Sequence, residues 1–168
     1  GLTRDRLYAE ISWRGVAFRI VDTGGLDFSP ENNFSDAIST QVTRAMEEAD
    51  LSLLICDGQT GPVPLDREVA QWARRWSKPV QVVVNKIDDA KHRDSIYEFS
   101  ALGLGEPRGI SSLHGRQIGE LLDQILPEIR RLNQETSQSQ EASGDSSDLL
   151  RIAIVGRPNV GKSSLLNF

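Results

Sequence analysis

Short apolar runs alternate with amphipathic segments along most of this 168-residue chain. Residues 7–13 alternate between apolar and polar side chains, Arg14-Gly15 suits a tight turn, and Val16–Val21 is mostly apolar, so these residues predict a two-stranded hairpin. Further strands are predicted where the chain becomes apolar for a few residues, as in strands buried on both faces of a parallel sheet: Leu51–Cys56, Val80–Val84, about Arg108–Ile110, and Arg151–Val155.

Apolar side chains at helical spacing occupy the segments between these strands. The predicted helices cover residues 36–49, 65–76, 94–102 and 117–132, and Pro127 is expected to kink or interrupt the last of them. Strands that alternate with helices predict an α/β fold with a mostly parallel sheet.

Residues 133–149 have a different composition from the rest of the chain. They are mostly Gln, Ser, Glu and Asp, and they show no apolar periodicity. Such a segment buries too little surface to offset the entropy of ordering it. The sequence therefore predicts a folded unit over residues 1–132, a flexible linker over 133–149, and a separate strand, loop and first helical turn over 150–168.

The sharpest chemical signal lies at the end of the chain, where Gly156 to Ser163 fits the phosphate-loop pattern Gly-x-x-x-x-Gly-Lys-Ser. A predicted strand precedes it and a helical turn follows, which is the context that the motif requires. Backbone N–H groups from Asn159 to Ser164, including those of Val160 and Gly161, are expected to surround phosphate oxygens. Lys162 would neutralise the β- and γ-phosphates, and the Ser163 hydroxyl would bind Mg²⁺. Proteins that bind nucleoside triphosphates usually carry this loop near the beginning of the chain.

A second motif, Asn85-Lys86-Ile87-Asp88, follows the predicted strand at Val80–Val84. The Asp88 carboxylate can accept hydrogen bonds from N1–H and the exocyclic amine of guanine, and adenine does not offer that pair of donors. The Lys86 stem would lie along the base, and Asn85 would tie the loop to its neighbours. A polar loop capped by aspartate would have the same sequence, but the phosphate loop favours guanine recognition.

Three weaker signals complete the expected site. Asp22 would bind Mg²⁺ through a water, and the Gly25 N–H would contact the γ-phosphate. Thr3 is a candidate for a loop hydroxyl that completes the Mg²⁺ shell, and backbone N–H groups of Ser111, Ser112 and Leu113 would close over the guanine carbonyl. Each of these patterns also occurs in ordinary turns and loops.

Composition and charge limit which partners this chain is expected to bind and in which cellular compartment it is expected to lie. The net charge is −5, which argues against broad nucleic-acid binding, and no direct sequence-specific nucleic-acid binding is expected of this chain. There is no membrane-length apolar run and no signal peptide, so no membrane partner is expected. The single cysteine, Cys56, lies in an apolar run and is predicted to be a core residue. These features suit the cytoplasm or an organellar stroma or matrix. The chain does not begin with Met, and a longer protein is expected.

Taken together, these motifs resemble those of the Der/EngA group of GTPases, which carry two G domains in tandem and assist large-ribosomal-subunit assembly. The segments that carry the resemblance are Gly1–Arg6, Asp22–Leu26, Asn85–Asp88, Leu102–Glu106, Ser112–Arg116 and Gly156–Asn167. The resemblance implies a Ras-like P-loop GTPase fold with three layers and one antiparallel edge hairpin strand. It also implies that residues 1–132 are a first G domain without its own opening strand and phosphate loop, and that residues 150–168 open the second.

The resemblance carries two expectations about activity. Leu26 stands where many small GTPases have a water-orienting Gln, which implies that backbone groups and a monovalent cation assist hydrolysis. Asn159 matches a K⁺ ligand of related GTPases, and it would equally suit a turn. The expected function is hydrolysis of GTP to GDP, with Thr3, Gly25 and Lys162 in the catalytic set. The alternative is a non-catalytic module that docks on the ribosome or a partner domain without turnover.

The resemblance also predicts where the last strand pairs. In the fold that it implies, the opening strand lies between Val16–Val21 and Leu51–Cys56, so residues 1–132 alone have a gap in their sheet. We expect Arg151–Val155 to fill this gap and to bring Lys162 and Ser163 towards Asp22, Thr3 and Asp88. Insertion into a neighbouring chain would give a swapped dimer.

Overall fold

The computed structural model describes residues 7–23, 43–140 and 149–167. In this part of the chain, the strands are β1 (Leu7–Trp13), β2 (Val16–Asp22), β3 (Leu51–Asp57), β4 (Val80–Asn85), β5 (Arg108–Gly109) and β6 (Arg151–Val155). The α-helical residues are α1 (residues 43–48), α2 (Pro64–Ala73), α3 (Ile118–Gln140) and α4 (Lys162–Leu166). Two 3₁₀ helices cover Ala90–His92 and Asp94–Leu102.

The described strands form one sheet in the order β1-β2-β6-β3-β4-β5. β1 pairs antiparallel with β2, and every other neighbouring pair is parallel. β6 lies between β2 and β3: Ile154 pairs with Asp22 on one side and with Leu53 on the other, and Val155 pairs with Leu54. This is the pairing expected of Arg151–Val155, and it brings the phosphate loop to the centre of the sheet.

Helices cover both faces of the sheet because its central strands are apolar on both. Successive residues of a strand point to opposite faces. Leu54 and Cys56 of β3 therefore pack with α1, α2 and the longer 3₁₀ helix, whereas Leu53 and Ile55 pack with α3 and α4. The expected three-layer α/β fold, with its mostly parallel sheet and antiparallel edge hairpin, is confirmed. Cys56 is a fully buried, free thiol, as predicted.

Two features of α3 differ from the sequence prediction. The helix continues to Gln140, so residues 133–140 are helical instead of belonging to a flexible linker. The helix is also not interrupted at Pro127. Pro127 is exposed, while Ile125 and Ile129 are buried against the sheet. Packing on either side of the proline stabilises the helix more than the loss of one backbone hydrogen bond destabilises it.

No helix among the described residues is long and apolar enough to cross a membrane. Several expected features lie outside the described residues: Thr3, Gly25, Leu26 and residues 36–42 of the first predicted helix. Their predicted roles stay predictions.

Candidate nucleotide-binding site

The candidate site lies along the carboxyl edge of the parallel strands. β2 ends at Asp22, β6 leads into the phosphate loop, β4 ends at Asn85, and β5 leads to Ser111 and Ser112. Because parallel strands present their carboxyl ends at one edge, motifs that lie far apart in the sequence meet there. The sheet therefore brings together the phosphate loop, Gly156–Ser163, and the Asn85–Asp88 loop, here called the guanine loop.

The phosphate loop has the backbone conformation that its glycines allow. Gly161 has a φ of 95° and precedes the first residue of α4, and Asn159 also has a positive φ, of 64°. A Cβ on Gly161 would lie 2.2 Å from Asn85 Nδ2, so glycine is required here by contact as well as by conformation. The loop thus presents backbone N–H groups at the beginning of a helix, which is a favourable arrangement for phosphate oxygens.

Lys162 is oriented by its own loop. Its side chain is buried, and Nζ donates hydrogen bonds of 2.8 Å to the backbone carbonyls of Gly156 and Arg157. Burial lowers the pKa of the ammonium, and the nearby Asp22 carboxylate opposes that shift. The negative charge of a bound phosphate would offset the cost of burying this positive charge, so the position suits the predicted role of Lys162.

Ser163 and Asp22 meet at the opening of α4. The Ser163 hydroxyl donates a hydrogen bond of 3.3 Å to the Asp22 carboxylate, and the Asp22 side chain is buried. A hydroxyl and a carboxylate are the hard oxygen groups that Mg²⁺ prefers. These two residues therefore fit the predicted Mg²⁺ site, while Thr3, the third predicted member, lies outside the described residues.

Asn85 connects the phosphate loop to the loop that contains Ser112. Its Nδ2 donates to the Val160 carbonyl and to Ser112 Oγ, both at 2.8 Å, and its Oδ1 accepts the Ser112 N–H at 2.9 Å. The side chain is buried, and three well-made hydrogen bonds there hold the phosphate loop and the Ser112 loop in a fixed relation. The prediction that Asn85 ties its loop to the neighbours is confirmed.

The other guanine-loop residues lie around this centre. Asp88 is half-buried; its Oδ1 accepts a hydrogen bond from Ser111 Oγ, and its backbone carbonyl accepts one from Arg116. Lys86 has a positive φ of 66°, and its ammonium contacts Asp57. Leu113 is 77% exposed, next to the buried pair Ser111 and Ser112.

Three further residues of the phosphate loop and the beginning of α4 differ in exposure. Val160 is buried, whereas Asn159 and Ser164 are exposed.

Sequence reasoning missed one charged group of the site. Asp57, at the end of β3, contacts Lys86 Nζ at 2.7 Å and lies 3.6 Å from Arg157 Nη2. Arg157 also donates to Thr60 Oγ1 at 2.7 Å. A signal was present, because an aspartate that ends an apolar strand suggests a role at the carboxyl edge of the sheet. Without the strand order, however, its partners could not be named.

The sheet order and the loop at the end of its central strand define the class. This is the P-loop GTPase fold, with the phosphate loop between β6 and α4 and the Asn-Lys-x-Asp loop after β4. A model of the 50S ribosome-binding GTPase family matches residues 1–86 and 151–168. The chain belongs to this family.

Individual proteins agree with this assignment. The chain is 47% identical to GTPase Der of Heliobacterium modesticaldum over 168 residues, which are 99% of this chain and 36% of the relative. It is 41% identical to GTPase Der of Persephonella marina, covering 37% of that protein. These matches confirm the resemblance to the Der/EngA group. The chain spans about a third of the length of these relatives.

A solved structure matches as well. The crystal structure of an Aquifex aeolicus Era variant bound to GDP and AlF₄⁻ has a TM-score of 0.58 and 31% sequence identity. The match covers 73% of this chain and 44% of that chain.

Proposed function

We propose that this chain binds guanine nucleotides and that the protein to which it belongs hydrolyses GTP to GDP during assembly of the large ribosomal subunit. The observation that carries the proposal is the Asn85 side chain, which donates one hydrogen bond to Val160 of the phosphate loop and makes two with Ser112. Family membership supports the ribosomal partner, because the family is described as 50S ribosome-binding. We place the protein in the cytoplasm, where large ribosomal subunits are assembled in bacteria.

In this proposal, the phosphate loop holds the nucleotide by its phosphates. The backbone from Asn159 to Ser164 and the Lys162 ammonium would bind phosphate oxygens. Ser163 and Thr3 would hold Mg²⁺, and Asp22 would hold it through a water. When bound, Mg²⁺ would neutralise phosphate charge. The Lys162 ammonium is already aimed by two carbonyls, so binding requires little reordering of its long side chain.

The base would be read on the other side of Asn85. Asp88 would accept two hydrogen bonds from guanine, the Lys86 stem would lie along the base, and the Ser111–Leu113 backbone would donate to the guanine carbonyl. The Ser111 hydroxyl already bonds one Asp88 oxygen and orients the carboxylate.

Hydrolysis would depend on how the site positions the γ-phosphate and on the positive charge around it, since the sequence offers no side-chain general base. Gly25 would contact the γ-phosphate, Lys162 would neutralise its developing charge, and Asn159 would hold a K⁺ that supplies further positive charge. The alternative, a docking module without turnover, predicts a folded protein with no measurable GTP hydrolysis at any K⁺ concentration.

A competition experiment tests the binding proposal. We expect a fluorescent GDP analogue to bind the wild-type chain, unlabelled GDP to displace it, and ATP to compete at least about 100-fold less effectively, because adenine cannot pair with Asp88. Asp88→Asn should lower GDP affinity by at least about 100-fold, whereas Asp123→Asn, a matched change on α3, should leave it unaltered. Equal competition by ATP and GDP would contradict guanine recognition.

A further inference from the structure

Asp57 occupies a position between the two loops of the proposed nucleotide site. It is the last residue of β3, and β3 pairs with β6 on one side and with β4 on the other. The phosphate loop follows β6, and the Asn85–Asp88 loop follows β4. A side chain at the end of β3 can therefore reach both loops.

The Asp57 carboxylate makes contacts in both directions. Its Oδ2 accepts a hydrogen bond of 2.7 Å from Lys86 Nζ and lies 3.6 Å from Arg157 Nη2. Its Oδ1 accepts the backbone N–H of Gln59 at 2.9 Å. The side chain is only 7% exposed, so a single buried carboxylate is shared by one cation from each loop.

Lys86 depends on such a contact for its orientation. Its φ of 66° places a residue with a side chain in the left-handed region, a conformation that persists only where the surroundings enforce it. Asn85, the preceding residue, is held by three hydrogen bonds. The Asp57 contact fixes the other end of Lys86, at its ammonium, and so determines the direction of the stem.

The charges explain why removal of this carboxylate would move Lys86. The Lys86 ammonium and the Arg157 guanidinium both lie within 4 Å of Asp57 Oδ2, and their side chains are 32% and 24% exposed. Without the negative charge, two partly desolvated cations would repel each other. Arg157 would remain attached to Thr60 by its 2.7 Å hydrogen bond, so Lys86 is the group that would move.

We propose that Asp57 is a positioning residue for guanine-nucleotide binding, which holds the Lys86 stem where the base of GDP or GTP would lie. The inference rests on the proposed nucleotide-binding function. Asp57 itself does not contact the nucleotide in this scheme. It acts through Lys86, and its effect should disappear when the Lys86 ammonium is absent.

A double-mutant cycle on the full chain tests this inference. GDP dissociation constants would be measured for wild type, Asp57→Asn, Lys86→Met and the double variant, because Met keeps an unbranched stem without the charge. Truncating one partner of a largely buried charge pair should weaken binding, and we expect Asp57→Asn to raise the constant roughly 10- to 30-fold. In the Lys86→Met background the same change should have less than about a threefold effect.

Two controls separate positioning from general damage. Asp123→Asn removes a carboxylate from α3, outside the site, and should leave GDP affinity unchanged. In a second cycle with Arg157→Met, the loss caused by Asp57→Asn should become smaller, because the repulsion by Arg157 is removed, but it should not vanish, because the Lys86 hydrogen bond to Asp57 is still lost. An unchanged GDP constant in Asp57→Asn, or an equal loss with and without the Lys86 ammonium, would overturn the inference. Failure of the wild-type chain to bind GDP would instead refute the proposed function.

Discussion

Gly161 shows how a single atom constrains the site. Its φ of 95° disfavours any residue with a side chain, and the space for a Cβ is already occupied by the Asn85 amide. Moving that amide would break its hydrogen bonds to Val160 and Ser112. The glycine therefore serves the connection between the loops as well as the approach of phosphate.

We expect Gly161→Ala to destabilise the fold and to abolish GDP binding. The left-handed conformation costs about 1–2 kcal/mol for alanine, and the contact with Asn85 should add roughly 1–3 kcal/mol. Gly105→Ala is the matched control, because Gly105 has a φ of 88° and no atom within 4 Å of its Cβ position. Chemical denaturation of both variants would measure the difference, and equal losses would contradict the contact argument.

Asn159 raises a separate question at the same scale, that of cation dependence. Its exposed position in the phosphate loop is compatible with the proposed K⁺ contact. We expect K⁺ to raise GTP hydrolysis by this chain and Na⁺ at equal ionic strength not to raise it. Phosphate release measured in the two salts tests this expectation. Equal turnover in both would contradict it, and Asn159→Ala should remove any preference that is found.

At the scale of elements, the β1–β2 hairpin is fastened to α3 at its turn. Asp123 of α3 accepts hydrogen bonds from Trp13 Nε1 at 2.8 Å and from Arg14 Nη2 at 2.7 Å, and Arg14 Nε also donates to it. These bonds join residues that lie more than 100 positions apart. The Arg14 hydrogen bond, followed by that of Trp13, lowers the pKa of the Asp123 carboxyl.

This contact should make stability depend on pH in a defined direction. Because the folded pKa of Asp123 is lowered, its contribution is present above the unfolded value of about 3.9 and is lost as pH falls through the folded value. We expect Asp123→Asn to lower Tm at pH 7 and the difference from wild type to vanish in acid. Asp89→Asn, which changes another exposed aspartate, is the control. A difference that persists below the folded pKa would contradict this assignment.

At the scale of the whole molecule, β6 completes the sheet. Its residues from Ile152 to Val155 are fully buried, and those from Ile152 to Ile154 pair with strands on both sides. Burial of each large aliphatic side chain contributes about 1.5–3 kcal/mol, and a whole domain is stable by only about 5–15 kcal/mol. Loss of this strand would therefore remove much of the stability of the fold.

We expect a chain that ends at residue 140 not to unfold cooperatively on its own, because β2 and β3 would lack their shared neighbour. Addition of a peptide covering residues 149–168 should restore a cooperative transition, measured by circular dichroism during denaturation. A peptide carrying Ile152→Asp and Ile154→Asp should not. If residues 1–140 unfold cooperatively without the peptide, β6 is dispensable for this fold.

Several elements of this fold could be predicted from residues that are neighbours in the sequence. The hairpin, the apolar strands and the phosphate and guanine motifs depend on side-chain periodicity or on short spacings, and the structure reproduces their positions. The predicted end of α3, at residue 132, was wrong because residues 133–140 are polar on all sides and have no apolar stripe. They continue a helix that has already begun, which costs far less than starting one.

The sequence by itself determined the class of this protein, because a phosphate loop and an Asn-Lys-x-Asp loop each carry their chemistry within a few residues. The place of β6 was expected only from the family resemblance. Tertiary structure alone decided that Asn85 bonds Val160 across 75 positions, that Asp57 joins Lys86 to Arg157, and that Asp123 holds the hairpin. Such contacts depend on which strands and helices become neighbours, and that choice is made by packing of the whole sheet, not by the residues on either side.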